Sequence, residues 1–260
     1  METLLIIKVG GNVLDDPEVS TLFLKEFSGI KGYKILVHGG GKEATSLAKD
    51  LHIEQQIIEG RRITNADTLK VVTMVYAGLI NKNIVATLQS FGCNAVGLTG
   101  ADANVIRSHK RVHPTIDYGF VGDVDEINSS FLELLLVNDL IPVLAPVTHD
   151  KNGTLLNTNA DTIAREVAIG LSHLFEVTLI YCFEKRGVLK NIQDEASLIK
   201  QMNRELYEQM KDSGSISEGM IPKLDNSFAA IAAGIKKVII GKATLLQLLI
   251  SEDEGTTISG

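Results

Sequence analysis

Ile6-Ile7-Lys8-Val9-Gly10-Gly11-Asn12 is the stretch that decides how this chain folds. An apolar, β-rich run carries one lysine and then breaks at two glycines. A lysine inside a hydrophobic strand is costly unless its ammonium reaches a polar cleft at the carboxyl end of a sheet. The glycines let backbone N–H groups approach a ligand closely. The same pattern returns at Val37-His38-Gly39-Gly40-Gly41-Lys42, between a second apolar run and a helical pattern from Glu43. Three glycines at a strand-to-helix turn expose a row of amides beside the positive end of a helix dipole, which suits an anion. This is no Walker A loop, since no glycine stands at the required spacing before Gly41-Lys42. Nor is it GxGxxG, since Ala44 takes the last position.

Outward from these turns, short Val/Ile/Leu-rich runs at residues 4–9, 34–37, 95–98, 141–145, 177–181 and 238–240 alternate with helical patterns at 43–51, 67–91, 130–138, 158–171 and 220–234. Strands alternating with helices predict an α/β fold, a mainly parallel sheet covered on both faces. Residues 105–125 break the alternation and read as a hairpin inserted over one sheet edge. Asp150-Lys151-Asn152-Gly153 is a turn signal. It divides 1–150 from 151–260, two halves expected to share one continuous sheet.

The 260 residues are 45% hydrophobic and 22% charged, which excludes intrinsic disorder. Lys and Arg number 25 against 32 Asp and Glu, a formal charge of −7. That balance argues against nucleic acid or an anionic membrane as a partner. Cys93 and Cys182 sit in apolar runs and read as buried thiols. No CxxC, HExxH or Cys/His cluster suggests a structural zinc. The start, Met1-Glu2-Thr3, lacks a basic n-region, and no apolar run is expected to span a bilayer, so the expected setting is cytoplasmic.

Three more motifs carry polar chemistry. In Gly60-Arg61-Arg62-Ile63-Thr64, an arginine just before a helix can clamp a carboxylate bidentately, with the other arginine expected to be solvated. In Leu156-Asn157-Thr158-Asn159-Ala160-Asp161, helix capping accounts for one of the three polar side chains, not for all. In Glu218-Gly219-Met220-Ile221-Pro222-Lys223, a lysine near a helix start opposes the dipole, which a phosphate site tolerates.

Taken in order and at these spacings, IIKVGGN, VHGGGK, GRRIT, LNTNAD and EGMIPK resemble the amino acid kinase family, over essentially the whole chain. The resemblance implies an open, mainly parallel eight-stranded sheet between helical layers, an αβα sandwich with an N-terminal acylglutamate-binding and dimerisation lobe and a C-terminal ATP lobe. It implies transfer of the ATP γ-phosphoryl group to the side-chain carboxylate of an N-acylated glutamate, in arginine biosynthesis. Acetyl is the expected acyl group and succinyl the alternative. A catalytically silent amino-acid sensor on the same fold is the reading from another class. By the resemblance Lys8 and Lys223 reach the transferring phosphoryl group, and Asp161 pairs with both. Gly40, Gly41, Arg62, Asn157 and Asn159 bind the acceptor. Gly10, Gly11, Asn12, Glu184, Gly187 and Met220 contact phosphates or nucleotide. Mg2+ rides on the ATP without a dedicated protein cage, so no residue is assigned as a metal ligand. Two departures from the family pattern stand out: Phe183-Glu184-Lys185-Arg186-Gly187 where an Asp-Val-x-Gly loop is usual, and Asp102-Ala103 where Asp-Gly is usual. Arginine-inhibited hexameric members carry a helix ahead of the first strand, whereas here Lys8 comes after seven residues. The resemblance therefore implies a homodimer with absent or weak arginine feedback, held through Val71, Val72, Val75, Leu79 and Ile80 of the long helix 67–91, the alternative being that this apolar face packs on the chain's own sheet.

Overall fold

The computed structural model describes residues 1–58, 60–191, 193–216 and 220–259. Eight strands form one sheet in the spatial order Gln201–Met202, Thr256–Ile258, Lys237–Lys242, Glu176–Phe183, Thr3–Val9, Tyr33–His38, Ile141–Leu144 and Ala95–Leu98. Every neighbouring pair is parallel except Lys237–Lys242 with Thr256–Ile258. The sheet runs through both halves of the chain, and Thr3–Val9 lies near its middle.

Side-chain alternation along that strand divides the core. Leu4 and Ile6 join one buried cluster, with Val37, Ile163, Val167 and Tyr181. Ile7 and Val9 join the other, with Phe23, Phe27, Val72 and Val75. All four strand residues are fully buried, each contributing about 1.5–3 kcal/mol relative to exposure. Covered on both faces, the strand has no polar side, which is why its sequence reads as a continuous apolar run broken only by Lys8.

The helical patterns form where expected, and Pro17–Gly29 adds a helix begun by Asp16, whose Oδ1 accepts from the amides of Glu18 and Val19 at 3.0 and 3.2 Å. The long helix Ala66–Ser90 is not uniform: between the α segments Ala66–Val72 and Asn81–Ser90 lies a π segment, Thr73–Ile80. Val71, Val72, Val75 and Ile80, expected at a subunit contact, are buried against the chain's own core. Of the five only Leu79 is exposed, at 52%, next to Met74 at 53%. The expectation of no membrane-length run is also corrected. Ala66–Ser90, with mean hydropathy 1.4 over 18 residues, is long and apolar enough to cross a membrane. Its apolar side is spent on the core instead.

The expected hairpin exists, Ile106–Lys110 against Val121–Ile127, but it is no isolated insertion. Val147–His149 and Leu155–Thr158 join it, and the four short strands close on one another as a second, small sheet. Asp150 turns the chain between the last two, its Oδ1 accepting from the amides of Asn152 and Thr154 at 2.8 Å.

The Asp102-Ala103 loop takes the backbone shape a glycine would take. Ala103 stands at φ 49°, ψ 26°, followed by Asn104 at φ 53°. Asp102 Oδ2 holds the loop by accepting from the Thr99 amide at 2.6 Å and its hydroxyl at 2.8 Å. A left-handed alanine costs about 1 kcal/mol. Ala103→Gly is therefore expected to stabilise the protein by about 1 kcal/mol, raising Tm by about 2–4 °C in a scanning melt.

Candidate active site

At the carboxyl ends of Thr3–Val9 and Tyr33–His38, both glycine turns meet. Gly39 N donates to Val9 O at 3.0 Å, and a Cβ on Gly39 would sit 3.2 Å from Gly11 N. A Cβ on Gly11 would lie 3.3 Å from the amides of both Gly40 and Gly41. The two turns thus interlock backbone to backbone. At Gly40 a side chain would displace its neighbours, since its Cβ would fall 2.3 Å from Ile80 Cδ1 and 3.0 Å from the Tyr76 ring. The π segment is what carries Ile80 and the Tyr76 ring to that point.

His38 fixes the turn from beneath. It is wholly buried, and burial pulls its imidazole down to about 4, so it is neutral at neutral pH. Asn81 Nδ2 donates to Val143 O at 3.0 Å and to His38 Nε2 at 3.1 Å, which leaves the proton on Nδ1 to donate to Gly39 O at 2.8 Å.

The cleft between the turns and the small sheet has a volume of ≈ 240 Å³. Lys8, Gly11, Gly40, Gly41, Arg62, Asn157, Asn159 and Asp161 all line it, so eight of the residues singled out in the sequence come together. Asp161 lies in the first turn of the helix Ala160–Leu171, where a carboxylate is favoured by the helix dipole. Lys8 Nζ stands 2.6 Å from its Oδ1, off the hydrogen-bonding direction. Lys223 Nζ donates to its Oδ2 at 3.0 Å. Burial is the largest single influence on this carboxyl and pushes it upward, but the two ammonium groups outweigh burial and hold it well below the usual carboxylate range. Lys223 is the third residue of Ile221–Ala232, so a second helix aims its N-terminal turn at the same carboxylate.

Asn159 is the cap of Ala160–Leu171: its Oδ1 accepts from the amides of Asp161 and Thr162 at 2.9 and 3.1 Å. Asn157 Nδ2 donates to Thr64 Oγ1 at 3.0 Å, and that hydroxyl donates to Arg62 O at 2.7 Å. Arg62 is buried. Its Nη2 donates to Gly41 O and Thr45 Oγ1, both at 2.8 Å, and its Nη1 to Gln55 Oε1. Arg62 is the buried member of the pair, and Arg61 is partly exposed. Arg61 also lines the cleft, and its Nη1 is buried with no hydrogen-bond partner among the described residues.

The remaining sequence candidates lie outside the cleft lining. Gly10 N donates to Cys182 O at 3.3 Å, tying the turn to the neighbouring strand. Asn12 borders a shallow depression with Asp15, Asp16 and Lys42. Glu184 lies near enough to Asp15 to push its carboxyl up, as Glu43 does, although burial of Asp15 is the larger cause. Gly187 is a packing position, where a Cβ would come within 2.6 Å of Leu198 Cδ1 and Thr256 Oγ1. Met220 precedes the helix Ile221–Ala232 and packs on the core. Glu218 and Gly219 of the same motif lie outside the described residues. The two unusual basic residues find carboxylates within the chain. Arg186 forks onto Glu254 at 2.5 and 3.2 Å, and Lys185 stands 3.9 Å from Glu195.

Three comparisons place this geometry. The model of the amino acid kinase family matches residues 3–242. This chain belongs to the amino acid kinase family. The acetylglutamate kinase of Cytophaga hutchinsonii is 58% identical over 255 residues, 98% of this chain and 97% of that protein. That of Phocaeicola vulgatus is 55% identical over 257 residues, covering 99% and 98%. In fold the chain is similar to N-acetylglutamate synthase from Neisseria gonorrhoeae, solved with coenzyme A and N-acetyl-glutamate. The TM-score is 0.84 at 19% identity, over 99% of this chain and 59% of that one. Membership makes the chain a phosphotransferase of a family that uses ATP.

The sequence reading of this family member missed Tyr76, Val121, Pro146 and Thr158 as cleft residues. Tyr76 is the one aromatic residue in the apolar middle of the long helix, a signal that was present. Its exact aim depends on the π segment, which no hydrophobic period reports.

A carboxyl held below its unfolded value stabilises the fold above about pH 4, and that contribution is lost as pH falls toward the folded value. Asp161→Asn is accordingly expected to melt lower than the parent at pH 7, where Lys8 and Lys223 lose their shared counter-charge. It should also show a shallower fall in Tm between pH 5 and 2. Parallel acid limbs for the two proteins would mean that Asp161 does not carry this dependence.

Proposed function

We infer that the protein phosphorylates the side-chain carboxylate of N-acetyl-L-glutamate with ATP, giving N-acetyl-L-glutamyl 5-phosphate and ADP, in arginine biosynthesis. The observation that carries this reading is the largely shielded cleft carboxylate of Asp161, paired with Lys8 from the central strand and Lys223 from a helix of the C-terminal half. It is supported by the curated relatives named acetylglutamate kinase.

A γ-phosphoryl group in flight spreads negative charge over its oxygens, so catalysis is chiefly alignment and electrostatic stabilisation. Lys8 and Lys223 supply two positive charges, and Asp161 keeps both side chains converged between turnovers. The amides of the interlocked turns at Gly11 and Gly40–Gly41 face the same space and need no reorganisation to receive phosphate or carboxylate oxygens. The nucleophile is already ionised at neutral pH, so no general base is needed. Arg62, braced by Gln55 and Gly41 O, clamps the acceptor's α-carboxylate, and Asn157 and Asn159 hold its acylamino end. Among the described residues no group of three or more Asp, Glu, His or Cys gathers for a metal. The cradle of glycine amides and lysines suits a triphosphate, with Mg2+ taking phosphate and water oxygens as ligands. When bound, that ion neutralises phosphate charge. The acceptor half is residues 1–150 and the nucleotide half 151–260. In the dimer of this reading, Met74 and Leu79 are the apolar residues that the long helix leaves exposed.

Hydroxylamine traps an acyl phosphate as a hydroxamate, so ATP-dependent hydroxamate formation from N-acetyl-L-glutamate tests the assignment directly. ADP release without hydroxamate would overturn it, and failure to bind ATP would favour the silent sensor. Lys8→Ala and Lys223→Ala are each expected to lower kcat by about 10²-fold or more with smaller changes in KM. Arg62→Lys should instead weaken acylglutamate binding in calorimetry while ATP affinity holds, because an ammonium cannot reproduce the guanidinium fork.

A further inference from the structure

The two helices whose first turns carry Asp161 and Lys223 are joined a second time, one turn further along. Arg165 follows Asp161 at i+4 in Ala160–Leu171, and Asn226 follows Lys223 at i+3 in Ile221–Ala232, so each pair shares a helix face. Arg165 Nη1 donates to Asn226 Oδ1 at 2.6 Å, a turn away from the 3.0 Å bond of Lys223 Nζ to Asp161 Oδ2. The guanidinium is held in its aim. Its Nε and Nη2 both donate to Glu166 Oε1, at 3.0 and 2.5 Å, which leaves Nη1 for the neighbouring helix. Glu166 also balances the charge, so a neutral amide suffices as the acceptor across the gap. Neither Arg165 nor Asn226 lines the cleft.

The two helices begin differently. Ala160–Leu171 is fixed at its origin twice: Asn159 caps it, and Tyr181 Oη donates to Asp161 O at 3.2 Å. Tyr181 is buried and stands in register with Lys8 on the adjoining strand, so the first turn of this helix is tied to the strand pair that supplies Lys8. Ile221–Ala232 starts without such help, since no side chain among the described residues caps it. Its place is set from the side. Ala164, Ala168, Leu224 and Phe228 belong to one buried cluster, which holds the helices together but has no directional preference. The Arg165–Asn226 bond supplies direction. On another face Asp225 Oδ1 accepts from Tyr207 Oη at 2.6 Å, which ties the helix to Arg204–Asp212 and keeps it docked independently of Asn226.

We propose that Arg165 and Asn226 are positioning residues for phosphoryl transfer, their bond fixing the register of the two helices and so the point from which Lys223 reaches the transferring group. The proposal rests on the acylglutamate kinase reading and adds to it two residues that touch neither substrate. A lysine head on a flexible four-carbon stem follows its counter-ion over a range of backbone positions. Asp161 alone therefore does not fix where Lys223 Nζ stands relative to Lys8; the register of the helices does. A displacement of about 1 Å at a reacting centre costs up to about 10²-fold in rate.

Steady-state kinetics of Asn226→Ala, with hydroxamate trapping to confirm the acyl phosphate, test this. Alanine is the best helix former and the Asp225–Tyr207 bond remains, so the variant is expected to fold and to melt within about 4 °C of the parent. Its kcat should fall about tenfold, while KM for ATP and for N-acetyl-L-glutamate each change less than about twofold. Arg165→Met should lower kcat by a similar factor, and the double variant no further than the worse single one. In a Lys223→Ala background, Asn226→Ala should cost nothing more, because the side chain it places is gone. A tenfold loss that persists in that background would overturn the proposal, as would a loss carried by KM alone or full turnover in Asn226→Ala. An Asn226→Ala chain that no longer folds would make the bond a structural one and would overturn it too. Absence of hydroxamate with the unmodified protein would overturn the kinase reading instead.

Discussion

One carboxylate holds the site together. Asp161 is largely shielded from solvent where three elements converge, the end of the central strand and the first turns of two helices, and two lysines reach it there and hold it as an anion. Each lysine in turn occupies an unfavourable place without it: Lys8 sits inside an apolar strand and Lys223 in the first turn of a helix. Removing one member leaves the others as uncompensated charge in a poorly solvated place, so the three stand or fall together. The charges also join distant parts of the sequence, since Lys8 and Lys223 come from opposite ends of the chain. The sheet order, which seats Thr3–Val9 beside Glu176–Phe183, makes that meeting possible.

Around this centre the backbone is prepared in advance. The two glycine turns touch through main-chain atoms, and a ladder of neutral hydrogen bonds from Val143 through Asn81 and His38 reaches Gly39. No member of that ladder titrates near neutrality. The amides facing the cleft therefore keep one geometry over the range in which an acceptor carboxylate is ionised and ATP is fully charged.

Much of this was legible in the sequence. Continuous apolar runs gave the parallel strands because both faces of the sheet are covered. Lys8, the glycines and Asp161 were visible as residues that a bare scaffold would not place there. The small closed sheet was not legible, since its strands are three to seven residues long and separated by up to 36 residues, a pairing that periodicity does not encode. The capping role of Asn159 was anticipated in kind, though not which of the two asparagines would take it. That Arg61 also lines the cleft was not legible, because a surface arginine and a cleft arginine look alike until the strand's alternation is known. Glu184-Lys185-Arg186 looked like a disturbed nucleotide loop, and the Arg186–Glu254 fork gives its last residue a local structural use.

The long helix changes its hydrogen-bond repeat at the place where it meets the glycine turn. In the segment Thr73–Ile80 each turn holds more residues than an α-turn does, so Tyr76 and Ile80 bulge toward Gly40 while the flanking α segments keep their own faces on the core. A helix built this way has slack at one point. Loss of a single residue within the segment can be absorbed by restoring i→i+4 bonds, whereas the same loss elsewhere swings everything beyond it by about 100°. The cleft wall is thus the part of the helix whose length can change while Asn81 keeps its grip on His38, which makes the shape of the pocket separable from the integrity of the sheet beneath it.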